Sequence, residues 1–317
     1  MFPVLDLLHP SFGESLLRYR LDRLPAAKAR AGQYGAKGAM FPWTSELTGF
    51  GTTNGGGKQC PPECKGLDWT EQHITGDIAM AFRLHWRSTA DIAFLAESWP
   101  LIEAICDFWA SRFVKDAKSG NFTVKGVVGP DEPAGANDDE IYTNAVAAAA
   151  FQFGIEAATA LGKQPPAPWA TYAQSPYLPL TASLLPGRLV HPEFTGYRKG
   201  QMIMQSAVAL LQYPLLWPLP TDIKRNDLAY YEPVTKQNGF FTGNSVYSIA
   251  WLGLGNATGA KTQWESAFAH MDTQSFFTFH EELKGGHLNV RFILILIAPS
   301  GMGHLPEICN RVPRPPR

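Results

Sequence analysis

The sequence predicts an all-α protein of the (α/α) toroid class, in which helical hairpins surround a site formed by their connecting loops. Apolar residues recur at helical spacing in about nine segments, fewer than the roughly twelve helices of a closed toroid of six hairpins. The loops between these segments carry acidic and aromatic residues, and no block rich in strand-forming residues separates them. We therefore expect an (α/α)6 toroid that is incomplete within these 317 residues.

The first predicted helices follow the apolar pattern of the chain. One helix covers residues 11–24. Asp68 then stands three residues before Glu71, and this capping-box pattern predicts the start of a second helix. The second helix carries four apolar side chains one turn apart: Ile74, Ile78, Phe82 and Trp86.

Two longer helices follow. One runs from residue 91 to 109 and is broken or kinked at Pro100, because proline lacks the N–H that the helix needs. The other is alanine-rich, runs from residue 140 to 161, and can be capped by Asn137 and Asp138. A proline-rich linker is predicted next, followed by shorter helices; the linker covers residues 164–186 and the helices 201–211, 222–231, 241–254 and 261–270.

Composition and charge exclude several classes of partner. The chain is 45% hydrophobic and 17% charged, which predicts a large buried core. A net charge of -1 favours neither nucleic acid nor an anionic membrane surface. The apolar run at residues 292–298 is far shorter than the ~20 residues of a membrane helix. We expect no nucleic-acid partner and no membrane segment.

The compartment is left open by the sequence. The N-terminus lacks the basic and apolar regions of a signal peptide. Two glycosylation sequons, at Asn121 and Asn256, favour an extracellular or vacuolar location, while a cytoplasmic one stays possible. Cys60 and Cys64 lie in a loop where a short disulfide can close, which is favoured over a zinc half-site.

Residues 126–144 form the most informative stretch of the chain. A strand-like segment ends at a Gly-Pro turn that presents Asp131 and Glu132. Adjacent carboxylates on a tight loop point in different directions, so one of them is expected to face a substrate. A carboxyl group beside apolar walls has a raised pKa, which suits it to protonate a leaving group. This is the general-acid half of a glycoside-cleaving pair.

Five segments, in order along the chain, resemble the motifs of glycoside hydrolase family 65. They are residues 38–49 (GAMFPWTSELTG), 71–77 (EQHITGD), 129–132 with 142–144 (GPDE and YTN), Gln205 with 213–215 (YPL), and 276–289 (FFTFHEELKGGHLN). The resemblance implies a six-hairpin glycosidase fold. It also implies a catalytic domain at residues 1–289 and a divergent tail at residues 290–317.

The resemblance also implies the roles of the site residues. Glu132 is the expected general acid and Glu281 the expected general base, with the adjacent Glu282 as the alternative base. Trp43, Asp131 and Gln205 are expected to bind the glucosyl unit. Neither a metal nor an organic cofactor is implied.

The expected reaction is removal of a terminal α-linked glucose with inversion. Residues 238–248 lack the paired serines that hold phosphate in the family's phosphorylases, so water is the expected nucleophile. The expected substrate is a small carbohydrate or a glycosylated protein, of the glucosylgalactosylhydroxylysine or α-glucoside disaccharide type. Acid trehalase is the alternative activity. A second alternative is a catalytically dead fragment that only binds sugar, because the family's upstream Trp-Asp segment is missing and the residues after Asn289 diverge from the family pattern. Met204 in place of the family's lysine is expected to weaken substrate affinity.

Several of these residues also have a purely structural interpretation. Trp43 is equally well explained as a packing anchor. His73 and Asp77 lie one helical turn apart, which favours a local hydrogen bond over catalysis. The acidic residues 138–140 are interpreted as a solvated first turn that matches the helix dipole.

Overall fold

A computed structural model describes residues 2–45, 47–51, 67–236, 242–272, 278–282 and 285–288. At 67, 68, 272 and from 278 onward, the backbone alone is described. The chain forms two compact units. The N-terminal unit comprises residues 2–129 and 135–178, and the C-terminal unit comprises residues 130–134 and the described residues from 179 onward.

The N-terminal unit is built from helices. They are α1 (Phe2–Leu8), α2 (Pro10–Asp22), α3 (Leu24–Gln33), α4 (Leu67–Thr70), α5 (His73–Thr89), α6 (Ile92–Arg112), α7 (Ile141–Ala160) and α8 (Pro168–Gln174). One short antiparallel pair joins β1 (Val114–Lys115) to β2 (Phe122–Thr123).

Helix α7 forms the centre of this unit, because small side chains let neighbouring helices come close. Its residues 145–150 are an alanine, a valine and four further alanines in one buried run. Gly76 of α5 faces Val146, and a Cβ atom at Gly76 would lie 2.7 Å from the valine Cγ1. Gly154 of α7 faces Cys106 and Trp169 at similarly short range. A helix that is apolar on all sides is expected to be buried in this way.

Helix α5 confirms the apolar pattern but not the predicted start. Its four apolar residues at one-turn spacing are all buried. The capping-box prediction is wrong, since α5 begins at His73 and Gln72 makes no side-chain cap. Asp68 lies in the separate helix α4. The backbone explains the break: the carbonyl oxygen of Thr70 accepts hydrogen bonds from the Gln72 and Val128 N–H groups.

Pro100 does not break α6, which continues through it. The proline ring is on the exposed face of the helix. The N-terminus of α6 is capped by Asp91, whose carboxylate accepts from the Ala93 and Phe94 N–H groups. One missing backbone hydrogen bond is tolerated because most of the other side chains of α6 are buried.

The start of α7 differs from the prediction. Glu140 is the N-cap residue, and its carboxylate accepts from the Tyr142 and Thr143 N–H groups at 3.1 and 2.6 Å. Asn137 instead pairs with Val127, and the left-handed Asp139 (φ 60°) separates it from the helix. The predicted capping by Asn137 and Asp138 is therefore wrong.

The C-terminal unit contains four helices and two small sheets in the described residues. The helices are α9 (Ala207–Gln212), α10 (Thr221–Val234), α11 (Thr242–Gly253) and α12 (Ala257–Ala267). The hairpin of β3 (Thr181–Leu185) and β4 (Arg188–Val190) turns at Gly187, whose φ of 75° favours glycine. A second antiparallel sheet has the order β5 (Met271–Asp272), β6 (Thr278–Glu282), β7 (Gly285–Leu288).

The predicted all-α class is confirmed, since helices account for most of the described residues and the strands are short. Helices α1 and α3 were not predicted. The linker predicted at residues 164–186 is wrong: it contains α8 and β3, and Trp169 of α8 is 2% exposed. The helix predicted at 201–211 begins later, at Ala207. The predicted disulfide of Cys60 and Cys64 lies outside the described residues.

Candidate active site

The predicted general acid lies on a tight turn of the C-terminal unit. Glu132 begins a 3-10 turn that covers Glu132–Ala134. The Ala134 N–H donates to the carbonyl oxygen of Asp131 at 2.9 Å and closes the turn. Glu132 is half-buried. The turn is flanked by Pro130 and interrupted by Pro133, and each proline fixes its own φ angle.

Asp131 is held by the backbone of a distant segment. Its Oδ1 accepts from the Met204 N–H at 2.8 Å and from the Gln205 N–H at 3.2 Å. Burial raises the pKa of Asp131, although these two backbone hydrogen bonds act in the opposite direction. The side chain is 7% exposed.

Gln205 completes the contact between the two segments. Its Nε2 donates to the carbonyl oxygen of Pro130 at 3.1 Å, and its Oε1 accepts from the Thr242 hydroxyl at 3.4 Å. The structure therefore brings three predicted site residues together in one unit: Glu132, Asp131 and Gln205. Thr242, at the first turn of α11, joins the group and was not predicted.

Behind Gln205, a buried carboxylate orders the start of α9. Glu193 is 2% exposed and accepts from the Ser206 hydroxyl at 2.9 Å and the Ala207 N–H at 3.0 Å. Ser206 in turn caps α9 through the Ala209 N–H. Sequence reasoning missed Glu193. The sequence did signal the helix start that Glu193 supports, because Ser206 ahead of an apolar run is a typical N-cap pattern.

Trp43 belongs to the N-terminal unit and is 44% exposed. Its loop is anchored by the residues before it: Met40 and Phe41 are buried, and the Phe41 N–H donates to the Thr75 hydroxyl at 3.1 Å. An indole exposed to this degree fits either interpretation, so packing and sugar stacking by Trp43 both stay predictions.

The histidine of the EQHITGD segment makes the local hydrogen bond that was predicted. His73 Nδ1 lies 3.0 Å from Asp77 Oδ2, and the Tyr142 hydroxyl donates to Asp77 Oδ1 at 2.7 Å. Burial lowers the pKa of His73, but the bond to Asp77 and the charges of Asp77, Glu140 and Glu71 outweigh it, so the net shift is upward. This cluster joins α5 to α7.

The acidic run at residues 138–140 is not the solvated turn that was predicted. Glu140 is 3% exposed and Asp139 is 7% exposed. Asp139 accepts from the Thr123 hydroxyl at 2.6 Å and pairs with Lys125 at 2.5 Å. Asp138 alone remains exposed, with its Oδ1 accepting the Gly126 N–H.

The Glu140 cap also explains the glycine of the GPDE segment. A Cβ atom at Gly129 would lie 2.5 Å from the Glu140 carboxyl carbon. Any larger residue at this position therefore displaces the cap of α7. Gly129 and Glu140 are therefore packed against each other.

The predicted base lies on strand β6, where Glu281 and Glu282 are neighbours. Their side chains lie outside the described residues, so the choice between them stays a prediction. Within the described side chains, no group of three His, Cys, Asp or Glu residues could hold a metal ion. None of the helices described is long and apolar enough to cross a membrane.

The described part of the chain is mostly helical, and its half-buried Glu132 lies on a proline-flanked turn. Residues 1–174 match the sequence model of the glycosyl hydrolase family 65 central catalytic domain. The chain belongs to glycosyl hydrolase family 65.

Two relatives agree with this family. A protein-glucosylgalactosylhydroxylysine glucosidase of Danio rerio is 32% identical over 96% of this chain and 43% of the relative. A kojibiose hydrolase of Mucilaginibacter mallensis is 34% identical over 90% of this chain and 40% of the relative. The chain thus spans less than half the length of these relatives.

At the level of fold, a kojibiose phosphorylase structure from the human microbiome matches with a TM-score of 0.63 and 18% identity. The match covers 80% of this chain and 39% of that one. This likeness is consistent with the predicted (α/α)6 toroid.

Proposed function

We propose that this chain hydrolyses a terminal α-linked glucose with inversion of configuration. Glu132 protonates the glycosidic oxygen as the general acid. Glu281 takes a proton from the water that attacks the anomeric carbon from the opposite face. Gln205 holds the glucosyl unit, and sugar binding by Trp43 stays a prediction. The observation that supports the proposal is the set of hydrogen bonds that joins the Glu132 turn to the segment of Gln205.

The attachment matters because a general acid acts only within hydrogen-bond reach of the leaving oxygen, about 2.6–3.2 Å. The bonds of Asp131 and Pro130 fix the Glu132 turn against the Gln205 segment. A sugar held by Gln205 would therefore meet Glu132 at a defined distance. Orientation of this kind is a large part of enzymatic rate enhancement.

Water is the favoured nucleophile over phosphate. A phosphate site needs hydroxyl donors at the surface of a cleft, and the serines of the described part of this segment are in the core. Ser245 is 0% exposed and Ser248 is 2% exposed. The Ser248 hydroxyl donates to the carbonyl oxygen of Ala260 at 2.9 Å, inside the α11–α12 pair.

The proposed substrate is a glucosylgalactosylhydroxylysine unit, as in the name of the Danio rerio relative. Kojibiose is the second candidate, because the Mucilaginibacter mallensis relative is a kojibiose hydrolase with 34% identity. Both are α-glucosides, and both leaving groups are sugar hydroxyls that need protonation.

The test measures glucose release from glucosylgalactosylhydroxylysine, kojibiose and trehalose, with and without phosphate. We expect the wild-type chain to release free glucose at a rate that phosphate does not change. Glu132→Gln should lower the rate by about 10²–10⁴-fold. The matched control is Asp138→Asn, an exposed acid of the same segment, which should stay within about twofold of wild type.

Three results would contradict the proposal. Formation of glucose 1-phosphate would identify a phosphorylase. Release from trehalose alone would contradict the proposed substrates and identify the trehalase alternative. A chain that is folded by circular dichroism and binds sugar, but releases no glucose, would identify a protein that only binds sugar.

A further inference from the structure

We infer that Asp131 is a positioning residue: it fixes the turn that carries Glu132 to the Met204–Gln205 segment and does not itself bind the sugar. The inference rests on the proposed role of Glu132 as general acid. It replaces the direct contact with glucose that the family resemblance implies for Asp131.

The first argument is the use of the Asp131 carboxylate. One oxygen, Oδ1, accepts two consecutive backbone N–H groups, from Met204 and Gln205. Together with the bond from Gln205 Nε2 to the Pro130 carbonyl oxygen, three hydrogen bonds join residues 130–131 to residues 204–205. At 7% exposure, the carboxylate offers little surface to a ligand.

The second argument is that the receiving segment is itself fixed. Ile203 is 2% exposed and bridges to the end of α10. Its N–H donates to the Val234 carbonyl oxygen at 3.1 Å, and its own carbonyl oxygen accepts the Lys236 N–H at 2.8 Å. Asp131 is therefore bound to a rigid support.

The third argument is the position of Glu132 between the hydrogen bonds of Asp131 and that of Ala134. The side chain of Asp131 is held by Met204 and Gln205, and its carbonyl oxygen is held by Ala134. Glu132 lies inside this closed turn. A displacement of about 1 Å at a catalytic group can cost about 100-fold in rate, so loss of the Asp131 contacts should impair the acid directly.

The role needs two acceptor bonds and does not need a negative charge. Burial raises the pKa of Asp131, so its surroundings disfavour the charge. An asparagine Oδ1 can accept the same two N–H groups. Asp131→Asn should therefore preserve the turn, while Asp131→Ala should release it.

The experiment compares two substrates that differ in their need for the acid. Kojibiose loses a sugar hydroxyl that must be protonated, whereas α-glucosyl fluoride loses fluoride without a protonated leaving group. We expect Asp131→Ala to lower kcat on kojibiose by about 10–100-fold and on α-glucosyl fluoride by no more than about threefold, with little change in KM. Asp131→Asn should stay within about threefold of wild type on both.

Two results would overturn the inference. Equal losses on both substrates in Asp131→Ala, expressed mainly in KM, would show that Asp131 binds sugar. A selective loss on kojibiose in Asp131→Asn would show that the charge is required. Asp131→Asn keeps the hydrogen bonds, so it remains decisive if the alanine variant fails to fold.

Two controls separate this inference from the proposed function. Glu132→Gln must show the selective loss on kojibiose; if it does not, the proposed function fails. If it does and Asp131→Ala does not, the positioning role alone fails. Asp227→Asn alters another buried carboxylate of the same unit, which bonds to the His191 N–H and ring. It should lower the Tm without changing the ratio of activities on the two substrates.

Discussion

The N-cap of α7 gives the most direct prediction about stability. Glu140 is 3% exposed, and its two carboxylate oxygens accept the Tyr142 and Thr143 N–H groups and the Thr143 hydroxyl. Glu140→Ala removes every one of these acceptors. The two N–H groups then stand at the buried start of the central helix of the N-terminal unit, where water cannot easily replace the carboxylate.

The expected cost follows from two contributions. Loss of an N-cap side chain costs about 0.5–2 kcal/mol. A buried donor left without a partner adds about 1–3 kcal/mol. Because burial also raises the pKa of Glu140, the ionised side chain is itself costly to bury, which offsets part of the loss. We expect Glu140→Ala to lower the free energy of unfolding by about 2–4 kcal/mol.

The assay is urea unfolding at pH 7, followed by far-ultraviolet circular dichroism, for wild type and two variants. Asp138→Ala is the matched control, because its side chain is 55% exposed and lies two residues away. We expect the control to lose less than about 1 kcal/mol. If Glu140→Ala and Asp138→Ala destabilise the protein equally, Glu140 does not cap α7 and the reasoning is refuted.

Two further predictions concern the same region. Gly129→Ala places a Cβ atom against Glu140 and should cost about 1–3 kcal/mol. In the double variant with Glu140→Ala the cost should be less than the sum, as a double-mutant cycle by urea unfolding would show. For His73, whose folded pKa is raised, the stabilisation is fully present below its unfolded pKa of about 6.5 and is lost as the pH rises through the folded value. His73→Gln should therefore lower the Tm more at pH 5.5 than at pH 9, and an equal loss at both pH values would contradict the assignment.

The sequence predicted what depends on local periodicity. The one-turn spacing of Ile74, Ile78, Phe82 and Trp86 identified α5, and the alanine-rich run identified α7. Helix α3 escaped because its sequence, LPAAKARAGQ, has few large apolar residues.

Helix ends were predicted less well, because they depend on partners that are distant in sequence. The carbonyl oxygen of Thr70 accepts a hydrogen bond from the N–H of Val128, which lies 58 residues further along the chain. This contact lies at the break before α5. Likewise, nothing near residue 140 indicates that Glu140 is buried against Gly129. Capping patterns describe only the local alternatives.

In the candidate site too, the residue types were predictable from the local sequence and the contacts between distant segments were not. Its residue types were predicted from motif order, but the contact of Asp131 with Met204 spans 73 residues and was not foreseeable from either segment. From the sequence we predicted that only one of the adjacent carboxylates Asp131 and Glu132 faces the substrate. The structure gives Asp131 a backbone partner and leaves Glu132 on the closed turn.

The most direct test of the proposed function is the configuration of the glucose released from kojibiose, followed by proton nuclear magnetic resonance in the first minutes of reaction. Inversion at an α-glucoside yields β-glucose before mutarotation occurs. We predict β-glucose first with the wild-type chain and a loss of this signal in Glu132→Gln. Initial release of α-glucose, or unchanged release by Glu132→Gln, would contradict an inverting hydrolase with Glu132 as its acid.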